Sequence, residues 1–287
     1  MAESLRLILP KGRIQENVLS LLRKIGLPFS ANGRSLRPAC GDGSIEAKIL
    51  KPQNIPTLVA LGRHDAGFTG HDWIVEQEAD VVELLDLGFD PVRIVAAVPE
   101  TLAENDRWKR ERLVVASEYR KLAETFIRDR KLDAVFVQSF GATEALPPED
   151  ADLIVDNTAT GTTLRQNRLR VVDELMRSTT RFIGNRDALE DPDKRKRLDE
   201  MVMLMKSILQ ARDRVLLEMN VSNDCFESLV GDLPCMRSPT VAPLHGEAGY
   251  AVKIAVPAQE APKLIPKLVE AGARDILEFR LEKIVAT

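Results

Sequence analysis

Cysteine and histidine are both scarce: three of each occur among 287 residues. Cys40, Cys225 and Cys235 are scattered, odd in number and form no CxxC pair. They read as reduced thiols rather than a disulfide framework or a zinc site. His64, His71 and His245 do not pair at metal-ligand spacing. With no third ligand nearby in sequence, His64 and His71 read as surface or hinge residues. No apolar run approaches the length of a membrane span. The start of the chain lacks the basic region, long apolar core and cleavage site of an export signal, so the expectation is a cytoplasmic protein. A block of one charge is missing too. The 40 Lys and Arg interleave with 44 Asp and Glu for a net charge of −4, which argues mildly against the clustered basic face of a nucleic-acid binder.

What is present is a globular composition, 44% hydrophobic and 29% charged, on a chain long enough for two or three domains. The most informative stretch is 151–168, ADLIVDNTATGTTLRQNR. Leu153, Ile154 and Val155 suggest a buried strand ending in the carboxylate of Asp156. A loop of Thr158, Thr160, Gly161, Thr162 and Thr163 follows, and Leu164 opens a helix. Such a strand, loop and helix start gathers backbone N–H groups and favours negative charge, and the glycine allows close approach. The carboxylate is placed for sugar hydroxyls, so a phosphate beside a ribose diol suits the pattern. An ordinary Thr-rich turn whose hydroxyls cap the helix has the same pattern.

In chain order, Leu5 to Leu9 is a strand followed by the turn Pro10-Lys11-Gly12-Arg13, where a cationic pair before a helix suits an anion. Ile45 to Leu50 is a strand, then Lys51-Pro52-Gln53-Asn54-Ile55-Pro56, with Asn54 a candidate cap. The glycines around Phe68-Thr69 suggest close backbone approach. Strands at Val81–Phe89 and Val92–Val98 complete a first lobe. From Glu100 strands and helices alternate again, with Ser117 a candidate cap and Glu144 at a further helix start, which argues for a parallel sheet. A return strand spans Val171 to Gly184. Asp191 caps a long helix with Pro192 at its first position, striped by Leu198, Met201, Val202, Met205, Ile208 and Leu209. Strands at Val215–Val221, from Ser238, at Tyr250–Val256 and at Asp275–Val285, with helices at Cys225–Val230 and about Gln259–Ala271, give the order βαββαβ. Pro266 inside the last helix requires a kink or a later start.

The segments PKGR, LKPQNIP, GFTGHD, GATE, DLIVDNTATGTTL and SPTVAPLHGE, in that order along nearly the whole chain, resemble those of the ATP phosphoribosyltransferases, which begin histidine biosynthesis. The resemblance implies an α/β fold: a two-lobed, periplasmic-binding-protein-like catalytic core and a C-terminal ferredoxin-like, ACT-like βαββαβ domain. Lobe I is 1–98 completed by 182–213, lobe II is 99–181, and the regulatory domain is 214–287. It implies a dimer assembling to a hexamer, with ATP and phosphoribosyl diphosphate (PRPP) as substrates and L-histidine as inhibitor. Mg²⁺ is the implied cofactor, carried by PRPP with no direct protein ligand. The PRPP residues are Asp156, Thr158, Ala159, Thr160, Gly161, Thr162 and Thr163. Those for ATP are Lys11, Gly12, Arg13, Lys51, Gly70 and Asp72. Asp156, Lys11 and Glu144 are the catalytic candidates, and Asn220, Ser238, Thr240 and Ala273 the regulatory ones. The chain departs from the family at Lys51 for Arg, Asn54 for Asp and Ala159 for Ser. Lysine at 51 can act only as a point charge, and Ala159 removes one hydroxyl donor. Two other readings share the pattern: a two-lobed anion receptor fused to an amino-acid sensor, and a PRPP transferase with a different nucleophile.

Overall fold

The computed structural model describes residues 4–30, 35–231, 233 and 238–285. The chain forms two compact units, Met1–Leu198 and Asp199–Thr287. The break falls inside the long helix Pro192–Arg212, ahead of the expected 213/214 boundary.

Among its described residues the first unit holds twelve strands. β1 (Leu5–Pro10), the two-residue strands β2 (Phe29–Ser30) and β3 (Ala39–Cys40), β4 (Ile45–Leu50), β5 (Ala66–Gly70) and β6 (Val82–Asp86) come first. β7 (Val92–Pro99), β8 (Leu113–Ser117), β9 (Ala134–Gln138), β10 (Leu153–Thr158), β11 (Leu169–Ser178) and β12 (Thr180–Gly184) follow. They assemble into two five-stranded sheets, β4-β1-β5-β12-β6 and β11-β7-β10-β8-β9, and β2 pairs with β3. Neighbours joined through helices run parallel, as β1 does with β4 and β8 with β9.

Two expectations are corrected here. Val92–Val98 does not complete the first lobe: β7 lies inside the second sheet, antiparallel to β10 and β11. Nearly every residue of β7 is buried, as an internal strand covered on both faces requires. The span Val171–Gly184 is two strands. β11 stays with β7, and after Thr179 the chain crosses so that β12 pairs with β5 and β6 of the first sheet. The first lobe is therefore built on 5–86 and 180–184, and the second on 92–178.

The lobes are joined near the crossing. The helix His71–Gln77 of the first lobe faces the start of the helix Arg120–Arg130 in the second. There the Glu76 carboxylate accepts hydrogen bonds from the backbone N–H groups of Lys121 and Leu122 at 2.9 and 3.0 Å. A side chain from one lobe thus caps a helix of the other. Burial pushes the Glu76 pKa up, against those two N–H donors, which pull it down. Ser117 is not that helix's cap: Tyr119 holds the cap position, and the Ser117 hydroxyl accepts from Tyr119 N at 2.8 Å. Asn54 makes no capping bond, because a 3-10 turn at Pro52–Asn54 runs straight into the helix Ile55–Ala60. Asp191 does cap its helix, accepting from Asp193 N and Lys194 N.

The second unit contains β13 (Arg214–Val221), β14 (Thr240–Pro243), β15 (Tyr250–Pro257) and β16 (Ala273–Arg280) in the order β14-β15-β13-β16, all antiparallel. Helices Asn223–Gly231 and Ala261–Glu270 make the two connections that skip a strand, so the order is βαββαβ. The buried residues Val215, Leu217, Met219 and Val221 alternate along β13 and pack with Val252, Ile254 and Val256 of β15. The last helix starts at Ala261 rather than Gln259 and carries Pro266 within it. The final strand ends at Arg280, short of Val285.

Candidate active site

β10 carries the centre of the site. It runs past Asp156 to Thr158, so Asp156 and Asn157 stand within the strand, opposite Val95 and Ile94 of β7. The loop is therefore only 159–161, and the helix begins at Thr162 rather than Leu164. Gly161 adopts φ +75°, a conformation a side chain resists. The loop is braced from within. Gly161 N donates to the buried Thr158 Oγ1 at 3.0 Å, and Thr160 Oγ1 lies 2.9 Å from Thr162 Oγ1. Arg165, which the sequence reading did not single out, donates to Thr160 O at 3.1 Å and Thr162 Oγ1 at 3.2 Å.

This loop floors a cavity of about 380 Å³ walled by Gly141–Glu144, Asp156–Leu164, Arg13 and Glu118. All seven residues assigned to PRPP line it, and so does Glu144. The GATE segment forms one 3-10 turn over Thr143–Ala145 rather than a helix. Its shape is fixed by Ser139 Oγ and Thr143 Oγ1, 2.7 Å apart and buried. Burial raises the Asp156 pKa to about 7; the Asn157 N–H pulls it down, while Glu144 and Glu118 push it further up. A carboxylate held this way gains from positive charge arriving beside it.

A second cavity of about 480 Å³ adjoins the first and lies between the lobes. Lys11, Gly12, Arg13, Lys51, Gly70 and Asp72 line it, so the six residues assigned to ATP meet there. Lys11, Arg13 and Lys51 are exposed and make no ion pair among the described residues. Asp72 differs from them. It is buried at 4% exposure, with Oδ1 accepting from Ser178 Oγ at 2.5 Å and Oδ2 from Tyr119 Oη at 2.7 Å. The Tyr119 ring stacks on Trp73, centroids 4.4 Å apart. Asn157 Nδ2 donates to Tyr119 Oη at 3.2 Å and to Asp156 Oδ1 at 3.3 Å. Arg13, Glu118 and Asn157 line both cavities.

Of these, Trp73, Glu118, Tyr119, Asn157 and Ser178 were not foreseen. Asn157 had a signal available, since a polar residue directly after Asp156 in a strand presents a second polar group at the same edge. Ser178 and Asp72 are 106 residues apart and carried none. Among the regulatory candidates, Asn220 Nδ2 donates to Asp275 Oδ2 at 3.0 Å. Ser238 and Thr240 are exposed, whereas Ala273 is in the core of the second unit. His71 Nδ1 lies 3.1 Å from Glu83 Oε1. Cys40 and Cys225 are free thiols outside both cavities. Cys235 falls outside the described residues.

One cavity presents backbone N–H and hydroxyl donors beside a carboxylate, and the other presents the exposed cations Lys11, Arg13 and Lys51. They adjoin through Arg13, Glu118 and Asn157, which leaves room for two ligands side by side. Comparison with known proteins makes the assignment specific. A family model described as ATP phosphoribosyltransferase matches residues 51–207, and one described as HisG, C-terminal domain, matches 211–283. An ATP phosphoribosyltransferase of Prosthecochloris aestuarii is 38% identical over 286 residues, 98% of this chain and 97% of that protein. One of Thermodesulfovibrio yellowstonii is 38% identical over 290 residues, covering 98% of each. The chain belongs to the ATP phosphoribosyltransferase family, the transferases of histidine biosynthesis. The ATP phosphoribosyl transferase (HisG:HisZ) complex from Thermotoga maritima shares the fold, with a TM-score of 0.62 at 24% identity over 70% of this chain and 98% of that one. The receptor alternative is thereby set aside.

Proposed function

We propose that this chain transfers the 5-phosphoribosyl group of PRPP to N1 of ATP and releases pyrophosphate. The observation that carries the reading is the pair of adjoining cavities with Arg13, Glu118 and Asn157 common to both. The loop 158–163 would hold the 5-phosphate through backbone N–H groups and the hydroxyls of Thr160, Thr162 and Thr163. Lys11, Arg13 and Lys51 would neutralise the nucleotide phosphates and the departing diphosphate. Asp156, beside the ribose hydroxyls, would stabilise the positive charge that grows on the sugar as the bond to diphosphate lengthens.

Adenine N1 is unprotonated near pH 7, so its lone pair attacks C1 directly and no general base or covalent nucleophile is needed. Rate then comes from placing N1 and C1 in contact and from charge complementarity. Mg²⁺ carried on the diphosphate of PRPP would supply Lewis-acid help to the leaving group. Glu118, Glu144 and Asp156, which face the PRPP cavity, suit a magnesium-bearing substrate better than a bare polyanion.

The first unit reads as a periplasmic-binding-protein-like core, and the second as a ferredoxin-like, ACT-like sensor of L-histidine in a dimer that assembles to a hexamer. The sheet order β14-β15-β13-β16 with two strand-skipping helices supports the sensor reading. A cytoplasmic setting fits the reaction. No helix of the described residues is long and apolar enough to cross a membrane.

The test is pyrophosphate release from PRPP and Mg²⁺, with and without ATP, repeated with L-histidine. ATP-dependent release suppressed by histidine is expected. Release indifferent to histidine would reduce the second unit to an assembly role, and no release from a folded, ligand-binding protein would overturn the assignment.

A further inference from the structure

Asn157 occupies the point where the two cavities meet, and the bonds around it fix which way its amide faces. Tyr119 Oη has a single proton. At 2.7 Å from a carboxylate that is 4% exposed, that proton goes to Asp72. Burial and the Asp72 charge hold the phenol protonated. Its oxygen can then only accept from Asn157, and Asp156 Oδ1, which already accepts from the Asn157 backbone N–H at 2.7 Å, faces the same end of the amide. Both approach the same atom, Nδ2, at 3.2 and 3.3 Å. The NH₂ end is therefore committed to the protein. Oδ1, at the opposite end of the amide, has no hydrogen-bond partner among the described residues. Asn157 is an exposed residue, so this acceptor is open to a ligand.

The chemistry of the proposed reaction limits what reaches that point. The new bond joins adenine N1 to the sugar C1, so these two atoms must meet where the cavities join. The exocyclic amine at C6 is bonded to the carbon next to N1 and arrives with it. On the sugar side Asp156, which lines the neighbouring cavity, would face the ribose hydroxyls. Resting on the transferase reading above, we propose that Asn157 is a specificity-determining residue: its carbonyl accepts a hydrogen bond from the adenine 6-amino group and so selects adenine and aims N1. A purine with a carbonyl at C6 would place acceptor against acceptor there, and one with hydrogen at C6 would leave the Asn157 carbonyl unpaired against the base.

The experiment compares ATP with purine riboside triphosphate, which lacks the 6-amino group, in the wild-type enzyme and in Asn157→Leu. Pyrophosphate release gives kcat/KM for each pair. The analogue's weaker N1 nucleophilicity affects both enzymes alike and cancels in the ratio of ratios. The preference for ATP is expected to shrink by about fivefold in Asn157→Leu, the weight of one neutral hydrogen bond. Asn157→Ala repeats the measurement should leucine fail to fold. A merely structural role would slow both substrates equally and leave the preference unchanged, which overturns the proposal. So does a raised KM for PRPP with the base preference intact, because the carbonyl would then serve the sugar. If wild-type enzyme releases no pyrophosphate with ATP, it is the transferase reading that fails.

Discussion

Replacing Asp156 with asparagine should stabilise the protein and disable it, and the stabilisation should grow with pH. Asp156 titrates near pH 7 in the folded protein because burial and the neighbouring Glu144 and Glu118 oppose its charge, outweighing the Asn157 N–H. Below the ordinary value of 3.8 the group is protonated in both states and contributes nothing. Between 3.8 and about 7 the unfolded chain ionises first, so stability falls as pH rises. Above about pH 7 the penalty is complete. Moving the pKa that far corresponds to roughly 4 kcal/mol at pH 8 and under half as much at pH 5. Solvent at the open side of the cleft screens part of this, which leaves about 1–2 kcal/mol of difference between the two conditions. Asparagine keeps the shape and can still accept from the Asn157 N–H, but carries no charge to penalise. Thermal unfolding at pH 5 and pH 8 should therefore show an Asp156→Asn advantage about 4 °C larger at pH 8. Turnover should fall about a hundredfold, as expected when one electrostatic stabiliser of the transition state is lost. An advantage independent of pH would refute the electrostatic reasoning, and turnover within a few-fold of wild type would remove Asp156 from the chemistry.

Three further substitutions probe the surroundings. A Cβ at Gly70 would lie 2.1 Å from Asp72 Oδ1, so Gly70→Ala must push that carboxylate off Ser178. The expected result is at least a tenfold rise in KM for ATP with KM for PRPP nearly unchanged. Tyr119→Phe leaves buried Asp72 Oδ2 without its donor and should cost about 1–3 kcal/mol in denaturant unfolding; a cost near zero would mean that water replaces the hydroxyl. Glu76→Ala uncaps the helix Arg120–Arg130, and a loss of about 1 kcal/mol is expected in the melting curve. Because Glu76 lies outside both cavities, both KM values should hold.

The threonine–glycine loop was legible because residue type alone constrains its conformation. Gly161 at φ +75° and the surrounding hydroxyls leave few other conformations for TATGTT. Asp191 and Pro192 announced their helix for the same local reason. β7 was misread because VRIVAAVP is apolar throughout: such a strand states that it is internal but not to which sheet it belongs. Its sheet is set by pairing with β10 and β11, more than fifty residues further on. The long segment after Val171 hid the crossing at Thr179 because β11 and β12 are separated by one residue, too short for a turn signal. In the sequence Tyr119 is one apolar position at helical spacing with Leu122, Ala123, Phe126 and Ile127. Its second identity, as the hydroxyl between Asp72 and Asn157, exists only once three distant segments are brought together.

The polar groups of the site divide by whether the protein already satisfies them. Asp72, Ser178, Thr158 and Tyr119 are buried and bonded to one another or to backbone. Removing any of them leaves a partner unpaired in a dry setting, so they are costly to change and act by fixing geometry. Lys11, Arg13 and Lys51 are exposed and unpaired among the described residues. Their charges cost little to keep in water and become valuable only when a phosphate displaces that water. Asn157 belongs to both groups, with one end of its amide committed to Tyr119 and Asp156 and the other open. Such a residue converts the fixed geometry of the buried network into a directional demand on the ligand. A cationic wall can bind any polyphosphate, so selection of the base has to come from a group of this kind. This makes the open carbonyl of Asn157, rather than the lysines and arginine, the place to look for what distinguishes ATP from other nucleotides.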